Sequence, residues 1–283
     1  MLPIKRLIVN ADDFGLHENI NDGIFQGYSA GCVTSATIVA GGDAFAHAVK
    51  ISQCCPNLSI GVHLTLVGLR PVARGDVSSL LTPDGNFFSS HAAFIRRYLK
   101  GAISRQHIET ELGCQLQKVA GSGIRISHVD SHQHLHALPG FPKIIGRLAK
   151  EFHIARIRIP AEPLWFFDAP HGSPWRTLQR TALTGCALWA RQQYLAQGLY
   201  GPEHFFGMLS GGRMSQANLR AILTRLPAGT SEIMVHPGLD NKMLNSQFHW
   251  GYHWREELDA LRSPETLNLI QKQGIQLINY RHL

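Results

Sequence analysis

The sequence predicts an α/β fold, a barrel of about seven parallel strands carrying helices on its outside. Two observations predict it. Short β-branched runs alternate with helically spaced apolar residues along most of the 283 residues, and polar side chains able to hold a metal recur just after those runs. Strand–helix alternation makes neighbouring strands parallel, and a barrel of parallel strands gathers their C-terminal ends on one face.

The strand runs are Leu7–Asn10, Val33–Val39, Leu58–Leu64, Ile124–Val129, Ala155–Ile159, Ile233–Val235 and Ile275–Ile278. Between them, apolar residues recur three or four positions apart. Ile20, Ile24 and Tyr28 mark a helix ended by Gly31, and Phe45, Ala48 and Val49 mark the next. Ile108, Leu112, Leu116 and Val119 form a third, and Ile144, Ile145 and Leu148 a fourth. Leu219, Ile222, Leu223 and Leu226 lie behind Ser215, a side chain suited to capping a helix N-terminus. A further helical region precedes the last strand.

Two stretches break the rhythm. Residues 65–101 carry Pro71, Gly75, Pro83, Asp84 and Gly85 and read as a long inserted loop. Residues 160–212 are irregular and aromatic, with Trp165, Phe166, Trp189, Tyr194, Phe205 and Phe206 around one helix near Thr177–Leu195. No fixed-period repeat interrupts the chain, so residues 1–283 are expected to make one domain with two elaborated loops.

Composition narrows the class. With 44% hydrophobic and 17% charged residues, the chain reads as globular rather than disordered or fibrous. The formal charge of +7 is scattered rather than gathered in a basic tail, so no nucleic-acid partner is expected. Five cysteines, Cys32, Cys54, Cys55, Cys114 and Cys186, have no Cys-x-x-Cys spacing, which argues for a reducing compartment. The apolar run Leu7–Val9 is too short for a signal-peptide core. Thr181–Ala190, between Arg180 and Arg191, is too short to span a bilayer. A cytoplasmic protein is therefore expected.

The strand ends carry the chemistry. Asp12 and Asp13 follow the first strand, His63 closes the third, Asp130, His132, His134 and His136 follow the fourth, and His236 follows the run at 233–235. Alone, His63 or His236 would suit a structural hydrogen bond, and the Asp pair a helix cap. In DSHQHLH, alternate residues of an extended segment would align Asp130, His132, His134 and His136 on one side, a metal-site pattern. Adjacent residues of a strand point opposite ways, so Asp12 and Asp13 divide into one metal ligand and one general base unless the chain turns. One Asp and two His leave coordination positions open for water and substrate, the layout of a hydrolytic rather than a structural site. His236, in MVHPG, is the candidate general acid.

Four motifs in order, NADDFG at 10–15, GVHLT at 61–65, HVDSHQHLH at 128–136 and MVHPG at 234–238, resemble the YdjC-like carbohydrate deacetylases. That family includes chitooligosaccharide and hopanoid-biosynthesis-associated members. The resemblance implies an irregular (β/α) barrel and a divalent metal held by Asp13, His63 and His132. It also implies Asp12 as base, His236 as acid and release of acetate from an N-acetylated sugar. Ligand softness allows Zn²⁺, whereas the resemblance favours Mg²⁺. The segment His249–Leu261 resembles the family's C-terminal part and places Trp250, Tyr252 and Arg255 at the barrel mouth as candidate substrate contacts, beside His134. Surface packing explains them equally well. The aromatic stretch resembles the hopanoid-associated branch, which points to an N-acetylglucosaminyl glycolipid ahead of soluble chitooligosaccharides. The helix at 177–195 is then a candidate membrane-surface or homodimer contact, placing the protein at the inner membrane. A phosphoesterase on the same barrel, or a sugar- or lipid-binding protein without turnover, are the competing readings.

Overall fold

A computed structural model describes residues 4–166 and 174–283. In chain order the elements are β1 (Lys5–Phe14), α1 (Glu18–Ser29), β2 (Ser35–Ile38), α2 (Phe45–Cys54), β3 (Ser59–Leu64), α3 (His91–Leu99), α4 (Arg105–Gly121) and β4 (Val129–Ser131). There follow α5 (Phe141–Glu151), α6 (Pro174–Leu195), β5 (His204–Phe206), α7 (Gln216–Thr224), β6 (Gly229–Val235), α8 (Asn241–Phe248), α9 (Trp254–Arg262), α10 (Pro264–Lys272) and β7 (Ile275–Leu277).

β1 is buried from Leu7 to Phe14 because strands of a parallel sheet are covered on both faces. The sheet runs β4-β3-β2-β1-β6-β5, and β7 pairs with Lys5–Leu7 before β2 takes over at Asn10. Every pairing between named strands is parallel. The curled sheet is joined into an irregular barrel by ladder fragments. Val129 bridges Ile157, and Arg156 bridges Tyr200, just ahead of β5. Ser215 Oγ caps α7 by accepting the Asn218 N–H, as its position predicts.

Four expectations are corrected. The strand expected at 124–129 begins only at Val129 and runs to Ser131, where β3 pairs with it. Residues 155–159, expected as a strand, make only the isolated bridge contacts just described. A strand instead occurs at His204–Phe206, inside the stretch read as irregular, where β6 supplies the partner that periodicity could not reveal. The stretch 65–101 is not all loop, since it contains a 3₁₀ turn at Ser78–Leu80 and helix α3, whose Phe94 is fully buried. Part of the second insertion, residues 167–173, lies outside the described residues. Among the described residues no helix is long and apolar enough to cross a membrane.

One buried guanidinium links the strand ends. Arg158 is 0% exposed. Its Nε donates to Glu232 on β6 (2.9 Å), its Nη1 and Nη2 reach the two oxygens of Asp12 on β1 (2.7 and 2.6 Å), and Nη1 lies 2.7 Å from Asp130 on β4. Tyr280 Oη donates to the other Glu232 oxygen at 2.7 Å. Burial raises the Glu232 carboxyl to about 7 against the lowering pull of Arg158 and Tyr280.

The turn after β6 lies against α1. A Cβ on Gly23 would stand 2.5 Å from Gly238 Cα, so a glycine is required there for the two backbones to meet. Gly23→Ala is expected to lower unfolding free energy by about 1–3 kcal/mol. Gly185→Ala, in mid-α6 with nothing within 4 Å of its Cβ, is expected to be neutral or stabilising by up to about 1 kcal/mol. Urea denaturation of both variants checks the pair, and equal effects would refute the packing argument. Because the folded Glu232 binds its proton more tightly than the unfolded one, its contribution to stability falls as pH rises from about 4.5 to about 7. Between pH 4.5 and 7.5 the native chain should therefore lose on the order of 3 kcal/mol relative to Glu232→Gln, read from denaturation midpoints at each pH.

Candidate active site

The first motif sits where β1 stops being regular. Between Ala11 and Phe14 the register to β2 shifts, and Asp13 adopts φ +66°, a left-handed conformation uncommon outside glycine. The turn that the alternation argument lacked is thus present, and both carboxylates sit at one end of the barrel at 2% exposure.

Their surroundings differ. Asp12 Oδ1 accepts from Asn10 Nδ2 at 2.9 Å and Thr37 Oγ1 at 3.4 Å, besides the Arg158 fork. Burial opposes its charge, but Arg158 overcomes that and holds the Asp12 carboxyl far below the usual carboxylate range. Asp13 has no hydrogen-bond partner on either oxygen although both are buried. His63 Nε2 stands 3.6 Å and His132 Nδ1 3.5 Å from its Oδ1. Burial raises the Asp13 carboxyl, and His132 and His63 more than reverse it.

His63 is oriented from behind. Its Nδ1 lies 2.8 Å from Asp130 Oδ1 and 3.3 Å from Thr37 Oγ1, which leaves Nε2 facing Asp13. Burial lowers its pKa, and Asp130, Asp12 and Asp13 outweigh that, raising it to about 9. A carboxylate on the far ring nitrogen is the usual support for a ligating imidazole. Asp13, His63 and His132 offer donor atoms within 4.8 Å of one another and could hold a divalent ion. Asp12, His63 and Asp130 satisfy the same distance, but their carboxylates are already engaged by Arg158 and by His63 Nδ1, so the first trio fits a cation better.

The extended reading of DSHQHLH is overturned. Asp130 lies within β4, and residues His132–Ala137 form a 3₁₀ turn in which Gln133 and His134 have φ of 56° and 55°. The four side chains therefore diverge. Asp130 joins Arg158 and His63, while His132 faces Asp13. His134 lines the cleft. His136 turns away, held by Ser131 Oγ (2.7 Å) and the Arg158 carbonyl (3.1 Å), with burial lowering its pKa to about 4.

His236 follows β6. Its backbone N–H donates to Glu257 Oε2 at 2.6 Å, and its Nδ1 stands 4.0 Å from the same oxygen. Burial raises the Glu257 carboxyl. Of the C-terminal candidates, Trp250 packs 5.2 Å from the His132 ring and Tyr252 5.0 Å from the His236 ring. Arg255 does not join them. It is half exposed on α9 and pairs with Asp259 at 3.0 Å, one helical turn on.

Asp12, His63, His132, His134, His236 and Tyr252 border a cleft of about 470 Å³. Asp12, His63, His132 and His236 form its polar side. Leu135, Leu138, Leu183, Met208 and Met234 form an apolar one, and α6 adds Ala182 and Cys186 together with the polar Gln179 and Arg180. Sequence reasoning missed Arg158, Glu232 and Glu257. Each had a signal, because a charge inside the apolar runs RIRIP and SEIMV, or at helical spacing from Trp254 and Leu261, has to be paired when buried.

A family model described as YdjC-like protein matches residues 6–272. The chain is 31% identical over 278 residues to a carbohydrate deacetylase of Brevibacillus brevis, covering 98% of this chain and 99% of that one. It is 30% identical to a carbohydrate deacetylase of Mus musculus, covering 97% and 94%. A crystal structure of a candidate cellobiose-phosphate cleavage protein of Enterococcus faecalis superimposes with a TM-score of 0.76 at 26% identity, covering 99% and 98%. With the motif residues converging at one barrel end and these matches running almost end to end, the chain belongs to the YdjC-like family of carbohydrate deacetylases.

Proposed function

We propose that the chain, acting as one unit, is a metal-dependent N-deacetylase that removes acetate from an N-acetylated sugar. The observation that carries this reading is the buried Asp13 carboxylate, unpartnered and faced by His63 Nε2 and His132 Nδ1, whose residues line the cleft. These three residues would hold the ion. A bound Zn²⁺ or Mg²⁺ would polarise the amide carbonyl and acidify a water.

The protein's own groups supply the rest. Arg158 keeps Asp12 ionised at every physiological pH, so Asp12 is always in the form that accepts the proton of the attacking water. Water adds to the amide carbon, the C–N bond breaks, and His236 delivers a proton to the departing amine nitrogen. Glu257 fixes the His236 backbone, and Tyr252 packs on its ring. Trp250 and Tyr252 serve as sugar contacts.

The apolar side of the cleft supports a glycolipid, of the N-acetylglucosaminyl hopanoid type, over a soluble chitooligosaccharide. α6 lines that side and also exposes Leu178, Leu188 and Trp189 outward. An apolar aglycone would leave the cleft along this helix, which would rest on the inner membrane surface in the cytoplasm.

His132→Ala is expected to weaken divalent-metal binding by more than about 100-fold and to reduce acetate release to background. His236→Ala should keep the metal yet lower kcat by about 10²–10⁴-fold. Metal titration beside acetate release separates the two, and full activity in His132→Ala would overturn the site. On metal-reconstituted protein, octyl N-acetylglucosaminide should release acetate faster than N,N'-diacetylchitobiose. The reverse order would make the enzyme a chitooligosaccharide deacetylase. Sugar binding without acetate from either, whatever the metal, would leave a binding protein.

A further inference from the structure

We infer that His134 recognises the sugar, its Nε2–H donating a hydrogen bond to an oxygen of the N-acetylhexosamine ring. The inference rests on the deacetylase reading and assigns a specificity-determining contact within that site.

Three observations carry it. First, the backbone is bent to place this ring. Gln133 and His134 are consecutive left-handed residues, neither a glycine, a conformation sterically disfavoured for side chains with a Cβ. A segment held this way by its surroundings marks a functional position. The turn moves His134 off the line of His132 and His136, and His134 lines the cleft.

Second, the ring is packed rather than loose. It is 9% exposed, stands edge-on to Phe205 at 5.7 Å and lies 6.2 Å from the His136 ring. Its direction is therefore set before any sugar arrives, which limits the entropy lost on binding.

Third, the two ring nitrogens are unequal. Nδ1 is buried without a hydrogen-bond partner, whereas Nε2 is not among the buried unpartnered atoms. An orphaned N–H is rarer in protein interiors than an under-satisfied acceptor, so Nδ1 carries the bare lone pair and Nε2 the proton. The donor is thus the nitrogen on the accessible side of a residue that borders the cleft. The hydroxyl and ring oxygens of a sugar entering the cleft would accept from it.

Two substitutions separate recognition from folding. The Nε2 of glutamine occupies nearly the place of the histidine Nε2, whereas asparagine reproduces only Nδ1 and tolerates the left-handed backbone. Calorimetric Kd for octyl N-acetylglucosaminide and for N,N'-diacetylchitobiose is measured on metal-loaded native chain, His134→Asn and His134→Gln, together with KM and kcat for acetate release. His134→Asn should raise Kd and KM about tenfold for whichever sugar binds, at nearly unchanged kcat. His134→Gln should restore both to within about threefold of native.

Unchanged Kd in His134→Asn overturns the inference, even if acetate release is intact. A fall confined to kcat also overturns it, since the ring would then serve the reacting carbonyl. Loss in both variants alike, or no sugar binding by the native chain, overturns it as well. Failure of the deacetylase reading shows separately, as sugar binding with no acetate released.

Discussion

The site depends on one buried cation. Arg158 faces Asp12, Asp130 and Glu232 with no access to water. Removing such a group would leave uncompensated carboxylates in the interior, a loss of several kcal/mol. Only a planar fork with five donors can address three strands at once, so lysine would not substitute. The same contacts decide which of two adjacent aspartates is left bare. Arg158 takes both oxygens of Asp12 from 146 positions away in the sequence, and Asp13 is left facing His63 and His132. The split of Asp12 and Asp13 into different environments is therefore a tertiary effect acting on a local dipeptide.

Backbone strain does the aiming. Asp13, Gln133 and His134 all have positive φ, and all flank the point where Asp13 and His132 approach. A regular strand would send Asp13 away from Asp12, and a regular continuation of β4 would line His134 and His136 up behind His132. The left-handed turns break both alternations. Their energetic penalty is offset by burial around them and by the Ser131 contacts to the backbone and ring of His136.

How far the sequence revealed the molecule follows from what each signal measures. Hydrophobic period is local, so α1, α4, α5, α7 and the strands β1, β3 and β6 could be read directly. Strand β5 could not, because three residues in an aromatic stretch become a strand only when β6 supplies the partner. Residues 155–159 had the composition of a strand but found only single bridges. At the site, Asp12, Asp13, His63, His132 and His236 were legible because strand ends converge whatever the details. The direction of each side chain was not, since it depends on positive φ values that no residue type there announces. Arg158, Glu232 and Glu257 were legible only as charges in apolar contexts.

The cleft joins two environments that would ordinarily be kept apart. Its polar side carries the Asp12 carboxylate and several imidazoles, and its apolar side includes Ala182 and Leu183 of α6, whose outer face exposes Leu178, Leu188 and Trp189. An apolar wall contributes little to binding a free sugar, whose hydroxyls would lose water without replacement. It contributes much to a sugar carrying an apolar group, because each buried methylene adds about 0.8 kcal/mol. Under the proposed function such a ligand would be held at both ends, its acetamide toward Asp13 and its apolar part toward α6. His134, held by Phe205 and the left-handed turn, lines the same cleft. Under the proposed contact, its fixed donor would hold the sugar ring itself, adding affinity at little entropic cost.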